Sequence, residues 1–112
     1  MNSKTEQLIQ GIKELGPQEL RSDTETNYEF VISREKLEKG LSVLLEGYFG
    51  SPLKAAGKEV SPEAKKKAEP FGGVRKDQTL YSFENPEGYN TCMIWPWSDG
   101  RTVTVKMYRL AS

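Results

Sequence analysis

The spacing of apolar residues changes along the chain and predicts its elements in turn. Leu8, Ile9, Ile12 and Leu15 fall on one helical face, between a Ser3-x-x-Glu6 capping box and the breaker Gly16-Pro17, which predicts a helix over 4–15. Residues 17–25 are polar and read as a connection. Tyr28, Phe30 and Ile32 then alternate with Asn27, Glu29 and Val31, the period of a strand. Ser33 is placed to cap a second helix, in which Leu37, Leu41, Leu44, Leu45 and Tyr48 recur at helical spacing and Glu35 and Lys39 stand at i,i+4 outside. Gly50-Ser51-Pro52 stops it. Gly40 and Gly47 interrupt this helix at about 1 kcal/mol each relative to alanine, a cost that close packing would explain.

From Gly50 to Lys76 glycine, proline, alanine and lysine dominate, and the large apolar residues are Leu53, Val60, Phe71 and Val74. The segment is therefore expected to leave the core as a long loop. Ser61, Pro62 and Glu63 suit the start of a short helix within it that Pro70 ends. The last third reads as β structure: a strand around 78–83, a turn at Asn85-Pro86-Glu87-Gly88, a strand from Tyr89 to Trp97 and another from Thr102 to Leu110. Asp99-Gly100 between the last two suits a two-residue type I′ turn, with Ser98 facing Arg101. That turn sets Pro96 opposite Val103, Ile94 opposite Val105 and Cys92 opposite Met107, an apolar face. The other face pairs Trp97 with Thr102, Trp95 with Thr104, Met93 with Lys106 and Thr91 with Tyr108. Pro96 lacks an N–H and favours an edge or a bulge, and a bulge there would turn Trp97 to the opposite face.

The order of elements predicts an α+β fold in one domain over 1–112: a mainly antiparallel four-stranded sheet, made of a C-terminal three-strand meander plus one N-terminal strand, with two helices and a long basic loop at 50–76. A crossover through the main helix would set the N-terminal strand parallel to its neighbour at one edge.

Charge divides unevenly along the chain although the totals balance, with 16 Lys and Arg against 16 Asp and Glu. Segment 50–76 carries Lys54, Lys58, Lys65, Lys66, Lys67, Arg75 and Lys76 against Glu59, Glu63 and Glu69, seven against three, which leaves nine against thirteen elsewhere. A basic loop is thus attached to an acidic body. The chain has no histidine and a single cysteine, which excludes Ser-His-Asp and Cys-His catalysis, histidine metal sites and cysteine zinc sets. The pairs Glu25/Glu29, Glu35/Glu38 and Glu84/Glu87 lack the spacing of a Ca²⁺ loop, so no metal or cofactor is expected. Ala56-Gly57-Lys58 fails as a phosphate loop, because Pro52 stands where its first glycine belongs and Glu59 follows the lysine. Cys92 lies on the apolar face of the hairpin, as a small buried hydrophobe would. The tyrosines and Glu46 supply acid/base groups in principle, and nothing in their spacing selects a reaction. The lone cysteine, the polar N-terminus and the lack of any run of about 20 apolar residues make a cytoplasmic protein without membrane contact the expectation.

Met93, Trp95, Trp97, Lys106 and Tyr108 share one face of the hairpin, more aromatic surface than a water-facing sheet side requires, which a helix on each face of the sheet, a core on the tryptophan side, a second copy or a ligand would each cover. The leading expectation is a non-enzymatic binding domain that uses this face to form a homodimer or to hold a protein partner, with the 50–76 loop beside it. The alternative is a single-stranded nucleic-acid binder that combines the basic loop with the sheet aromatics. The third is a small enzyme with a Glu/Tyr acid/base site under that loop.

Overall fold

A computed structural model describes residues 3–22, 27–69, 72–83 and 88–109. The elements are α1 (Ser3–Glu14), β1 (Gln18–Ser22), β2 (Asn27–Ser33), a continuous helix α2 over 34–49, α3 (Pro62–Ala68), β3 (Thr79–Ser82), β4 (Thr91–Pro96) and β5 (Thr102–Tyr108). The five strands form one antiparallel sheet in the order β1-β2-β5-β4-β3. The expected α+β class and C-terminal meander are present. The expected four strands and two helices become five and three. The added strand β1 is exposed at all five residues, so it carries no apolar alternation; its pairing with β2 makes it a strand. β2 runs antiparallel to β5 and not parallel to its neighbour, because the chain re-enters the sheet at the far edge, β3, and meanders back.

One face of the sheet carries α1 and α2. Leu8 and Ile12 from α1 and Leu41, Leu45 and Phe49 from α2 pack on Tyr28, Phe30, Ile32, Tyr81, Cys92, Ile94, Val103, Val105 and Met107. The period-2 alternation of β2 and β5 puts all their large apolar groups on this side except Val31 and Tyr108. Ser33 Oγ accepts the Lys36 N–H at 3.2 Å at the start of α2, and Gly50, at φ 84°, ends it. A π turn over Leu37–Leu41 lies within α2, and there the Ser42 hydroxyl donates to the Leu37 carbonyl at 2.6 Å. The two helices approach closely at glycines. A Cβ on Gly11 would stand 3.0 Å from Leu44, and one on Gly40 3.0 Å from Leu15. Close packing therefore accounts for Gly40, whereas Gly47 has no neighbour within 4 Å of that position.

The segment after α2 does not leave the core. It folds back over the opposite face at β3 and β4, where Ala64 and Ala68 of α3 bury Leu80 and Met93 in a second apolar cluster. Ser61 Oγ accepts the Ala64 N–H at 3.1 Å, and Pro62 opens the helix as its sequence suggests. Lys54 fastens the segment to the sheet edge. Its N–H donates to the Leu80 carbonyl at 3.1 Å and its carbonyl accepts from Leu80 at 2.9 Å. Its buried ammonium donates to the backbone carbonyls of Lys76 and Gln78. The Ser3 cap, the Pro70 stop and most of the Asn85–Gly88 turn lie outside the residues and side chains described.

Candidate functional site

The β4–β5 pairing sets the candidate face. Its register matches the sequence expectation at every pair from Thr91 with Tyr108 to Pro96 with Val103. The turn differs. Only Gly100 takes a positive φ, so Asp99 is not in the conformation of a type I′ turn. Instead the Gly100 N–H donates to the Trp97 carbonyl at 3.2 Å, and the Trp97 N–H donates to Thr102 at 2.9 Å, closing a loop over 98–101. The Asp99 carboxylate accepts from the N–H groups of Arg101 at 2.8 Å and Thr102 at 3.0 Å and from the Thr102 hydroxyl at 2.8 Å, and these bonds hold its pKa below the usual carboxylate range. Both turn geometries leave Trp97 opposite Thr102, so the register survives. No bulge forms at Pro96. β3 pairs with β4 only as far as Ile94, so the missing proline N–H points to a side where no strand waits.

Trp95, Trp97, Lys106 and Tyr108 therefore share one face, and β2 and β1 extend it with Val31, Glu29 and Arg21. Met93 lies on the same face but is completely buried under α3, so it leaves the candidate set. Trp95 marks the border, packed on one side against the Met93 cluster and partly exposed on the other. Beyond it Val31, Thr104, Lys106 and Tyr108 stay partly exposed, and Trp97 is 47% exposed.

The exposed groups are held in place. The Trp97 indole N–H donates to Thr104 Oγ1 at 2.8 Å. The Lys106 ammonium stands 5.8 Å from the Trp95 ring centre and 5.7 Å from that of Tyr108, within cation–π range of both. It also pairs with Glu29 at 3.5 Å, while Arg21 pairs with the same carboxylate at 3.1 Å. Two cations thus share one carboxylate, and the Arg21 guanidinium remains largely in solvent.

At the Trp97 end the face runs into a trough of ≈ 590 Å³ lined by Arg34, Ala56, Gly57, Lys76, Asp77, Pro96 and Trp97. An adjoining cleft of ≈ 310 Å³ shares Arg34, Ala56, Asp77 and Pro96 and continues past Glu38, Thr79 and Tyr81 to the start of α2. Arg34 was not distinguishable in the sequence. Its place follows from the bond of its N–H to the Arg101 carbonyl at 2.8 Å, which ties the start of α2 to the hairpin turn.

The basic-loop residues divide. Lys58, Lys65, Lys66, Lys67, Arg75 and Lys76 are exposed, with the lysines of α3 outside the Ala64–Ala68 contact. Lys54 is withdrawn from the surface, and burial lowers its pKa. Of the acid/base candidates, Tyr81 lines the smaller cleft with Glu38 and Asp77. Burial, and secondarily the charges of Cys92 and Glu46, push the Tyr81 phenol up to about 12, and burial with the Glu19 carboxylate does the same to Tyr28. Burial likewise drives the Cys92 thiol far up, away from thiolate chemistry. Among the described residues no cluster of three His, Cys, Asp or Glu is placed to hold a metal, and no helix is long and apolar enough to cross a membrane. Comparisons with protein-family models, with curated proteins and with solved structures gave no match in any of the three.

Proposed function

We propose that this chain is a non-enzymatic binding domain whose ligand face is the open half of the sheet, centred on Trp95, Lys106 and Tyr108 with Trp97 at its end. The observation that supports this reading is the division of the second face. α3 covers Met93 and Leu80, while the aromatic row beside them stays partly exposed and is fixed by its own hydrogen bond and cation contacts. Rings already held in one orientation lose little side-chain entropy when a ligand arrives. The ligand is one that offers flat groups to the rings and negative charge to Arg21 and Lys106. Face-to-face pairing of two copies fits less well, since the face carries two cations and its carboxylate Glu29 is already paired within its own chain.

The test combines light scattering with quenching of tryptophan fluorescence. The expected result is a monomer across concentrations, whose tryptophans are quenched by iodide more strongly than by caesium because the surrounding charge is positive. A salt-resistant dimer with both tryptophans shielded from either ion would refute an open ligand face.

A further inference from the structure

We infer that the ligand of this face is a single-stranded nucleic acid, with bases against Trp97, Trp95 and Tyr108 and phosphates toward Arg21, Lys106, Arg34 and Lys76. This rests on the open-face reading above and adds the identity of the occupant. Trp95 and Trp97 are two residues apart on the β4 side of the hairpin, so their backbones are about 7 Å apart, while stacked bases rise about 3.4 Å. A stacked duplex cannot match that repeat or present its base faces. An extended single strand can place one base on each ring.

The charges lie where its backbone would run. Arg21 and Lys106 flank the row against one carboxylate, Glu29. Arg34 and Lys76 line the trough beside Trp97 together with Asp77, and Lys76 also pairs with Glu59 at 3.5 Å. The first place keeps a surplus of one positive charge, and the trough is balanced. Stacking therefore supplies most of the affinity, and the salt dependence is moderate. Four phosphate contacts give a slope of log K against log salt no steeper than about −3 for a single strand. An acidic polypeptide would satisfy the cations but offers no succession of flat groups to the rings.

The experiment is fluorescence anisotropy of end-labelled oligothymidylate and oligouridylate at low and moderate salt, with a duplex of equal length and polyglutamate as competitors. Single strands are expected to bind in the micromolar range and to resist both competitors by at least tenfold. Trp97→Ala and Trp95→Ala each cost about tenfold or more in affinity, and Lys106→Gln lowers the salt slope by about 0.7. Trp97 serves where Trp95→Ala lowers stability, because its half-exposed ring is not part of either buried cluster. Absence of binding to single strands at low salt overturns the inference, as does equal displacement by polyglutamate or binding indifferent to both tryptophan variants. If ion quenching has already shown the tryptophans open on a monomer, such a failure removes the nucleic acid and leaves the binding face.

Discussion

Met93→Ala tests the boundary between the covered and open halves of the second face. The Met93 side chain is 0% exposed and packs with Leu80, Ala64 and Ala68. The substitution deletes the atoms beyond Cβ, three groups of methylene size at about 0.8 kcal/mol each, or roughly 2.4 kcal/mol of lost burial. A residual cavity adds to this to the extent that α3 fails to settle, which places the total at about 2–4 kcal/mol. In a chain of this size the melting temperature falls by roughly 8–15 °C. The control is Trp97→Ala, at the same face but 47% exposed and held by one hydrogen bond to Thr104. It costs less than about 1 kcal/mol. Urea unfolding followed by far-UV circular dichroism measures both, and the slope m reports whether the native surface has changed. A Met93→Ala loss within about 0.5 kcal/mol of zero would refute the reasoning. It would mean that α3 is not seated on the sheet and that the apolar face is larger than described.

Gly47→Ala should stabilise by about 0.5–1 kcal/mol, because the added methyl meets nothing within 4 Å and the helix gains propensity. Gly40→Ala should yield none of that gain, since its methyl would stand 3.0 Å from Leu15 Cδ2; equal urea midpoints for the two variants would contradict the packing argument. At alkaline pH the folded chain holds its Tyr28 and Tyr81 protons to about 12, whereas the unfolded chain releases them near 10.0. The folded state binds more protons between those values, so stability is constant below about pH 10 and falls toward 12 by at most about 1.4 kcal/mol per pH unit for each tyrosine. Urea midpoints against pH, read with tyrosinate absorbance, check this. Complete tyrosinate formation near 10 in the folded state would show both phenols to be more open than described.

Much of the scaffold was legible because its signals are local. The leucines of α2 repeat at helical spacing, and Ser33 caps that helix as its position suggests. The hairpin register followed from the short connection around Asp99-Gly100, and it held even though the turn has a different conformation. β1 was not legible, since an edge strand exposed at every residue has no apolar period to read. α3 was legible as a helix but not as a packed one. Alanine reads as neither core nor surface, and only the nearness of Leu80 and Met93 gives Ala64 and Ala68 their role.

The sequence by itself determined which side of the hairpin residues 102–107 take, because alternation acts over a few neighbouring positions, while the absence of a bulge at Pro96, which sets the side of Trp97, was decided by the folded structure. Tertiary structure also decided which hairpin residues remain at the surface. Met93 and Trp95 stand two positions apart on one strand, and α3, arriving from some thirty residues earlier, buries the first and stops at the second. Lys54 likewise reads as one more surface cation until its pairing with Leu80 turns its ammonium onto backbone carbonyls. Burial and charge pairing depend on segments distant along the chain, and no local period encodes where those segments return.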